Sequence, residues 1–147
     1  MKPYFEESAV TIFKGHAIEV LKTLPDEYVQ MAITSPPYWG LRNYAGGTDI
    51  VWGGDNQCEH QWGDTIIRRD RGKATNSEIV RQPREMIGTT TPQGSFCSLC
   101  GAWCGQLGLE PTPELYVEHL MMIFREVKRV LRDDGSFYLN IGDTYAT

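Results

Sequence analysis

The chain has 147 residues, of which 41% are hydrophobic and 11% aromatic, enough for one packed domain and too many for a disordered tail. No run approaches the roughly 18 uninterrupted apolar residues of a membrane span, and the N-terminal MKPYFEESAV lacks the apolar core of a signal peptide, so the sequence reads as cytoplasmic with no membrane partner. A formal charge of −5 argues against a protein that holds polyanions by bulk electrostatics, and four cysteines in a reducing compartment point to metal ligands or core residues rather than disulfides.

In chain order, the β-branched and aromatic run Val10 to Phe13 (VTIF) predicts a strand that turns at Lys14-Gly15. In HAIEVLKTLP the apolar Ala17, Val20, Leu21 and Leu24 recur at helical steps, and Pro25 stops them. Tyr28 to Thr34 (YVQMAIT) has the composition of a buried strand. From Ser35 to Pro111 the chain is rich in Gly, Pro, Asn, Asp and Trp, with no sustained period; a loop of that length in a compact domain needs an organiser other than ordinary packing. Regular structure returns at Thr112, a capping residue, with Pro113 and Glu114 suited to a first helical turn and Leu120, Phe124, Val127 and Leu131 forming an apolar stripe. That helix is expected to end at Gly135 and to be followed by a strand, Ser136 to Ile141 (SFYLNI), closed by Gly142-Asp143. Alternating strands and helices predict a doubly wound parallel sheet, in which ligands bind beyond the carboxyl ends of the strands.

Directly after the second predicted strand stands Thr34-Ser35-Pro36-Pro37-Tyr38-Trp39. Two prolines with fixed φ and no N–H keep the Ser35 and Pro36 carbonyls out of a helix and hold them in an extended turn. In this exposed loop the Pro36 carbonyl and the Ser35 hydroxyl are natural acceptors, and Tyr38 offers a flat face to a base that has left its stack. Such acceptors suit an exocyclic amine, whose lone pair is delocalised into its ring: holding both hydrogens out of plane frees the lone pair for a methyl donor. The same tetrapeptide also serves as an ordinary turn or a polyproline ligand.

Cys58-Glu59-His60 and Cys97-Ser98-Leu99-Cys100-Gly101 supply two ligand pairs, three thiolates and one imidazole, which suit a tetrahedral structural zinc ion. His60 is the less common partner in its pair, and Cys104 is a reserve ligand. Buried free cysteines, or a redox Cys-x-x-Cys, are the competing readings. Between the pairs, TIIRRDRGKATNSEIVRQPREMIGTT carries Arg68, Arg69, Arg71 and Lys73, either a solvated loop or a phosphate-contacting surface. His119 is expected to be a partly exposed helix residue.

TSPPYW after an apolar strand, with GHAIEVLKTLPD before it and RVLRDDGSFYLNIGDTYA after it, resembles the β-class DNA amino-methyltransferases that act on cytosine N4 or adenine N6. SPPYWGLRNY and GLEPTPELYVEHL resemble a phage and prophage subgroup of that family. The resemblance implies a partial Rossmann-like class I methyltransferase fold, a three-layer α/β structure with a mostly parallel sheet and a zinc-stapled insertion. Residues 1–44 and 111–147 would form the catalytic core and 45–110 the insertion. It implies catalysis by Ser35, Pro36, Pro37 and Tyr38, and contact of Gly15, His16, Thr34 and Ser35 with S-adenosylmethionine. The substrate would be double-stranded DNA with a flipped target base, in a prokaryotic or phage-infected cell, with a restriction endonuclease as a conceivable counterpart. Ser35 at the first motif position favours cytosine N4. His16 stands where relatives usually carry an acidic residue, and the Gly-rich loop that holds the methionine part of the cofactor has no counterpart here. The chain therefore reads as an N-terminal part that does not methylate DNA alone. The alternative is a non-catalytic zinc-bearing nucleic-acid-binding module with a relic S-P-P-Y loop.

Overall fold

The computed structural model describes residues 2–40, 49–69 and 90–142. In chain order these form β1 (Phe5–Glu7), β2 (Val10–Ile12), α1 (Ala17–Leu21), β3 (Val29–Thr34), β4 (Ile50–Trp52), β5 (Ile67–Arg69), β6 (Thr90–Pro92), β7 (Ser95–Phe96), β8 (Trp103–Gly105), α2 (Pro113–Val130) and β9 (Leu131–Leu139). The chain divides into two compact units, Met1–Tyr38 with Val117–Thr147, and Trp39–Tyr116. No helix among the described residues is long and apolar enough to cross a membrane.

In the first unit β1 and β2 form an antiparallel hairpin, with Ser8 at a positive φ of 26° in its turn. The sequence reading anticipated β2 but not β1, because Phe-Glu-Glu carries no apolar alternation. The short helix α1 begins after His16, whose extended backbone lets its carbonyl accept from the Val20 amide at 3.0 Å. Its end is closed by Arg129, which donates from Nη2 to the Leu21 carbonyl at 2.8 Å and from Nη1 to the Leu24 carbonyl at 3.1 Å. Arg129 also pairs with Asp26 and Glu126, so one guanidinium ties the carboxyl ends of both helices together.

Strand β3 pairs in parallel with β9, the arrangement expected of an α/β sheet. Side chains alternate across the pair, and Ala32 lies beside Phe137, whose ring meets Phe124 of α2 edge-on at 5.2 Å. That face is only partly covered, since Ala32 and Thr34 are half-buried while Phe137 and Leu139 stay exposed. The opposite face carries Met31, Ile33 and Tyr138, and Ile33 remains 70% exposed. The expectation of a buried β3 is not met: Val29, Ala32 and Thr34 are half-buried and Gln30, Met31 and Ile33 exposed, in a ribbon whose described pairing is limited to two strands.

Helix α2 begins as read from sequence, with Thr112 Oγ1 accepting from the Leu115 amide at 3.3 Å. It does not run to Gly135. It ends at Val130, and the Arg129 carbonyl accepts from the Glu27 amide at 3.0 Å. Val29 faces Leu131 but Met31 faces Ser136, so β9 carries a bulge between those residues. Gly135 sits in this bulge, where a Cβ would lie 2.9 Å from both the Arg132 and Gln30 carbonyl oxygens and 2.8 Å from Leu131 Cδ1. Its role is close backbone approach rather than helix termination.

The second unit contains an antiparallel sheet of order β4-β8-β7 and a β5-β6 pair. Trp52, Ala102, Trp103, Leu109 and Tyr116 form its core. Each buried indole finds an acceptor: Trp52 donates to the Gly105 carbonyl at 3.1 Å and Trp103 to the Gln93 carbonyl at 2.9 Å. Gly94 and Gly105 are required here, since a Cβ would lie 2.1 Å from the Cys104 carbonyl oxygen or 2.4 Å from the Trp103 ring. The stretch read as irregular therefore holds several strands, each of two or three residues, too short to show a period in sequence.

Replacing Gly135 with alanine is expected to destabilise the protein by about 1–3 kcal/mol, because two of the three contacts are rigid carbonyls that cannot rotate away. Chemical denaturation measures this; a Gly135→Ala midpoint equal to the parent's would show that the bulge can open without cost.

Candidate functional site

The turn after β3 is placed by the sheet itself. The Thr34 carbonyl accepts from the Asn140 amide at 3.0 Å, extending the pairing of Thr34 with Leu139 by one more bond. Ser35–Tyr38 and Asn140–Gly142 consequently leave the sheet side by side at its carboxyl edge. The Tyr38 ring lies against Gly142, where a Cβ would come within 2.5 Å of Cδ2 and 2.7 Å of Cε2. Ser35 Oγ donates to the Tyr38 hydroxyl at 3.4 Å. Ser35 is exposed, whereas Pro36, Pro37 and Tyr38 are half-buried, so the loop is less open than the sequence suggested. The sequence marked Gly142 only as the close of a strand; a glycine directly after a strand is also the signal for a close approach.

Gly15 and His16 form the turn from β2 into α1. His16 is half-buried, and burial lowers its pKa from the usual 6.5, outweighing the opposite pull of Glu19, so its imidazole is neutral at pH 7. A neutral imidazole keeps one nitrogen as a hydrogen-bond acceptor, a property it shares with a carboxylate.

In the second unit the structure brings together the four side chains that sequence spacing grouped. The ligand atoms of Cys58, His60, Cys97 and Cys100 all lie within 4.8 Å of one another, a set that could hold a metal ion. Cys58 and Cys97 Sγ are 3.9 Å apart, and Cys100 Sγ is 3.4 Å from His60 Nδ1. A tetrahedral zinc ion with Zn–S of about 2.3 Å and Zn–N of about 2.0–2.1 Å has edges of about 3.8 and 3.5 Å, close to these separations. The backbone is shaped for the cluster. Gly101 turns at φ 74°, its amide donating to the Cys97 carbonyl at 3.0 Å, and the Leu99 amide donates to Cys97 Sγ at 3.4 Å. Gly54, at φ 73°, passes so close that a Cβ would lie 2.8 Å from Cys100 Sγ.

The protonation of the cluster follows from these contacts. Burial, then the Cys100 and Cys97 side chains, push the Cys58 thiol up to about 12. Burial opposes ionisation of Cys97, yet the amides of Cys100 and Leu99 and the imidazole of His60 draw its thiol down to about 6. Near pH 7 the group thus mixes thiol and thiolate, and a divalent cation would displace the remaining protons. Cys104, the reserve ligand, lies in β8 opposite Val51 and Ser95 and is outside the cluster.

Of the basic run, Arg71 and Lys73 lie outside the described residues, and of Arg68 and Arg69 only the backbone, in β5, is described. Two buried groups escaped the sequence reading. His119 is 3% exposed rather than partly exposed, because it shares its helix face with Tyr116 and Leu120. Glu110 is fully buried, with Oε2 accepting from the Gly108 amide at 2.7 Å and its carbonyl accepting from Trp39 Nε1 at 2.9 Å and Gln93 Nε2 at 3.3 Å. A glutamate between Leu109 and Pro111 in a loop-like stretch carries no sequence signal of burial.

Comparison with known proteins is consistent with this geometry. The type II methyltransferase M.XycI of Xanthomonas campestris pv. cyanopsidis is 31% identical over 137 residues, 93% of this chain and 27% of its own length. M.Cfr9I of Citrobacter freundii is 30% identical over 97% of this chain and 28% of its own length, and M.SfiI of Streptomyces fimbriatus 31% identical over 91% and 18%. The chain thus spans 18–28% of the length of these relatives. No solved structure matches it. The family profile described as DNA methylase matches residues 29–147, and with the S-P-P-Y turn seated at the carboxyl edge of a parallel strand pair, the chain belongs to the N6/N4 DNA methylase family.

Proposed function

We propose that the complete protein is a site-specific DNA methyltransferase acting on the exocyclic amine of cytosine (N4) or adenine (N6), with S-adenosylmethionine as donor. The observation that carries this reading is the Ser35–Tyr38 turn at the edge of the β3–β9 pair, its tyrosine backed by Gly142, in a chain of the DNA methylase family. When bound, S-adenosylmethionine supplies an electrophilic methyl group. The protein's own groups supply acceptors and a platform. Ser35 Oγ and the Pro36 carbonyl would hold the two amine hydrogens, and Tyr38 would stack on a base flipped out of double-stranded DNA. No strong base is needed, because the amine's proton is lost only after nitrogen has gained its methyl group and a positive charge. Gly15, His16, Thr34 and Ser35 would face the donor, with the neutral His16 imidazole able to accept from a hydroxyl where relatives usually carry a carboxylate. The Thr34 carbonyl already accepts from Asn140, which leaves its side chain for that task.

For the Cys58, His60, Cys97 and Cys100 cluster we propose zinc. All four tetrahedral positions would be filled by protein, which is the arrangement of a structural site and leaves no place for a reacting water. The likeness to type II methyltransferases also supports a role beside a restriction endonuclease of matching specificity. Arg68, Arg69, Arg71 and Lys73 remain the proposed phosphate contacts.

In the complete protein, Tyr38→Ala is expected to lower methyl transfer by about 5- to 160-fold, the equivalent of roughly 1–3 kcal/mol of lost base stacking, and Pro36→Ala to act in the same direction. Tritiated methyl incorporation into unmethylated DNA, read beside thermal melting, checks this: activity that falls only in step with the melting temperature would refute the assignment. Elemental analysis of the purified protein should give one zinc per chain, and Cys97→Ser should release it. Full retention of zinc by a Cys97→Ser, Cys100→Ser double variant would overturn the metal assignment.

A further inference from the structure

We infer that Gly142 is a positioning residue for methyl transfer, its bare backbone lying on one flat side of the Tyr38 ring so that a target base can stack only on the other; this rests on reading the Ser35–Tyr38 turn as the reactive loop. A Cβ at Gly142 would stand 2.5 Å from Tyr38 Cδ2, 2.7 Å from Cε2 and 3.1 Å from Cγ. An atom approaching in the plane of the ring would lie much farther from the two neighbours of Cδ2 than from Cδ2 itself. The three similar distances therefore set Gly142 over the face of the ring, not at its edge. Tyr38 is accordingly half-buried.

Both partners of this contact belong to the first unit and leave the same strand pair, Tyr38 after β3 and Gly142 after β9. The bulge of β9 lies earlier; from Met31 opposite Ser136 to Thr34 opposite Leu139 the pairing runs in step, and the Thr34 carbonyl adds its bond from the Asn140 amide at 3.0 Å. Ring and glycine therefore start from one fixed register. At the far end of the ring, Ser35 Oγ donates to the Tyr38 hydroxyl at 3.4 Å. With its one proton engaged there, the Ser35 hydroxyl presents lone pairs, the form in which it would accept from an amine. Platform and acceptor are thus placed together, and a methyl group on residue 142 would displace both. Gly142 does not have a left-handed backbone, so an alanine there meets the ring without conformational strain of its own. Such a displacement acts on the rate of a bound substrate rather than on its capture, since the acceptors must meet the amine within a fraction of an ångström.

The test uses the complete protein with tritiated S-adenosylmethionine and unmethylated plasmid DNA, and compares Gly142→Ala, Tyr38→Ala and the double variant. Gly142→Ala is expected to lower kcat on the order of tenfold while KM for DNA and for the donor stays within about twofold. Its melting temperature should stay close to the parent's. Because the added methyl group acts through the ring, it should have no further effect once the ring is gone, and kcat of the double variant should match that of Tyr38→Ala within about twofold. Losses that multiply in the double variant would overturn the inference. So would an unchanged kcat for Gly142→Ala, a rise in KM for DNA at unchanged kcat, which would make residue 142 a substrate contact, or a loss of kcat that tracks melting. Full activity of Tyr38→Ala would sink the reactive-loop assignment itself, whereas its inactivation beside a fully active Gly142→Ala would sink only the role given to Gly142.

Discussion

Parallel pairing of β3 with β9 is the constraint on which the rest of the chain hangs. Two antiparallel strands can be joined by a tight turn, but parallel strands require the chain to travel back across the sheet before the second can form. Here that return path is residues 35–130, which include the whole of the second unit and α2. Because both strands run the same way, their carboxyl ends lie together, and the two loops leaving them, one with Ser35–Tyr38 and one with Gly142, become neighbours without any side chain having to bring them there. The placement of the Ser35–Tyr38 turn beside Gly142 is a consequence of strand direction.

A return path of that length must be ordered by something. Strands of two or three residues cannot stabilise one another alone, and the second unit has only such strands among its described residues. What it has in addition are two buried indoles with satisfied N–H groups, and four ligand side chains gathered at Cys58, His60, Cys97 and Cys100. A metal ion bound at such a cluster would add its binding free energy to folding, in place of the apolar area that these short elements cannot bury. The glycines at 54, 94 and 105 serve that compactness by letting backbone and sulfur or indole approach where a methyl group would not fit.

Buried polar groups divide the remaining work. Arg129 satisfies the open carbonyls at the end of α1 while pairing with carboxylates on both sides, and the wholly buried Glu110 closes its own turn and receives Trp39. Both sit at junctions where one element hands over to the next. The turn after β3, by contrast, offers neutral oxygens and an aromatic face, a chemistry suited to orienting a weakly nucleophilic amine rather than deprotonating it.

The sequence by itself determined the local and the covalently encoded features. Helix α2 announced its start through Thr112-Pro113-Glu114, β3 through its β-branched run, the S-P-P-Y turn through its prolines, and the Cys58, His60, Cys97 and Cys100 cluster through its spacing. Each of these depends on residues a few positions apart, and that is the range over which capping, periodicity and chelate spacing act. Only the tertiary structure decided the end of α2, because the Arg129 carbonyl finds the Glu27 amide and Gly135 is needed against Gln30, partners far away in sequence. It alone decided that no β3 side chain is fully buried, that His119 and Glu110 are buried, and that Gly142 lies against Tyr38. Burial and close approach depend on what packs opposite a residue, and no local pattern carries that information.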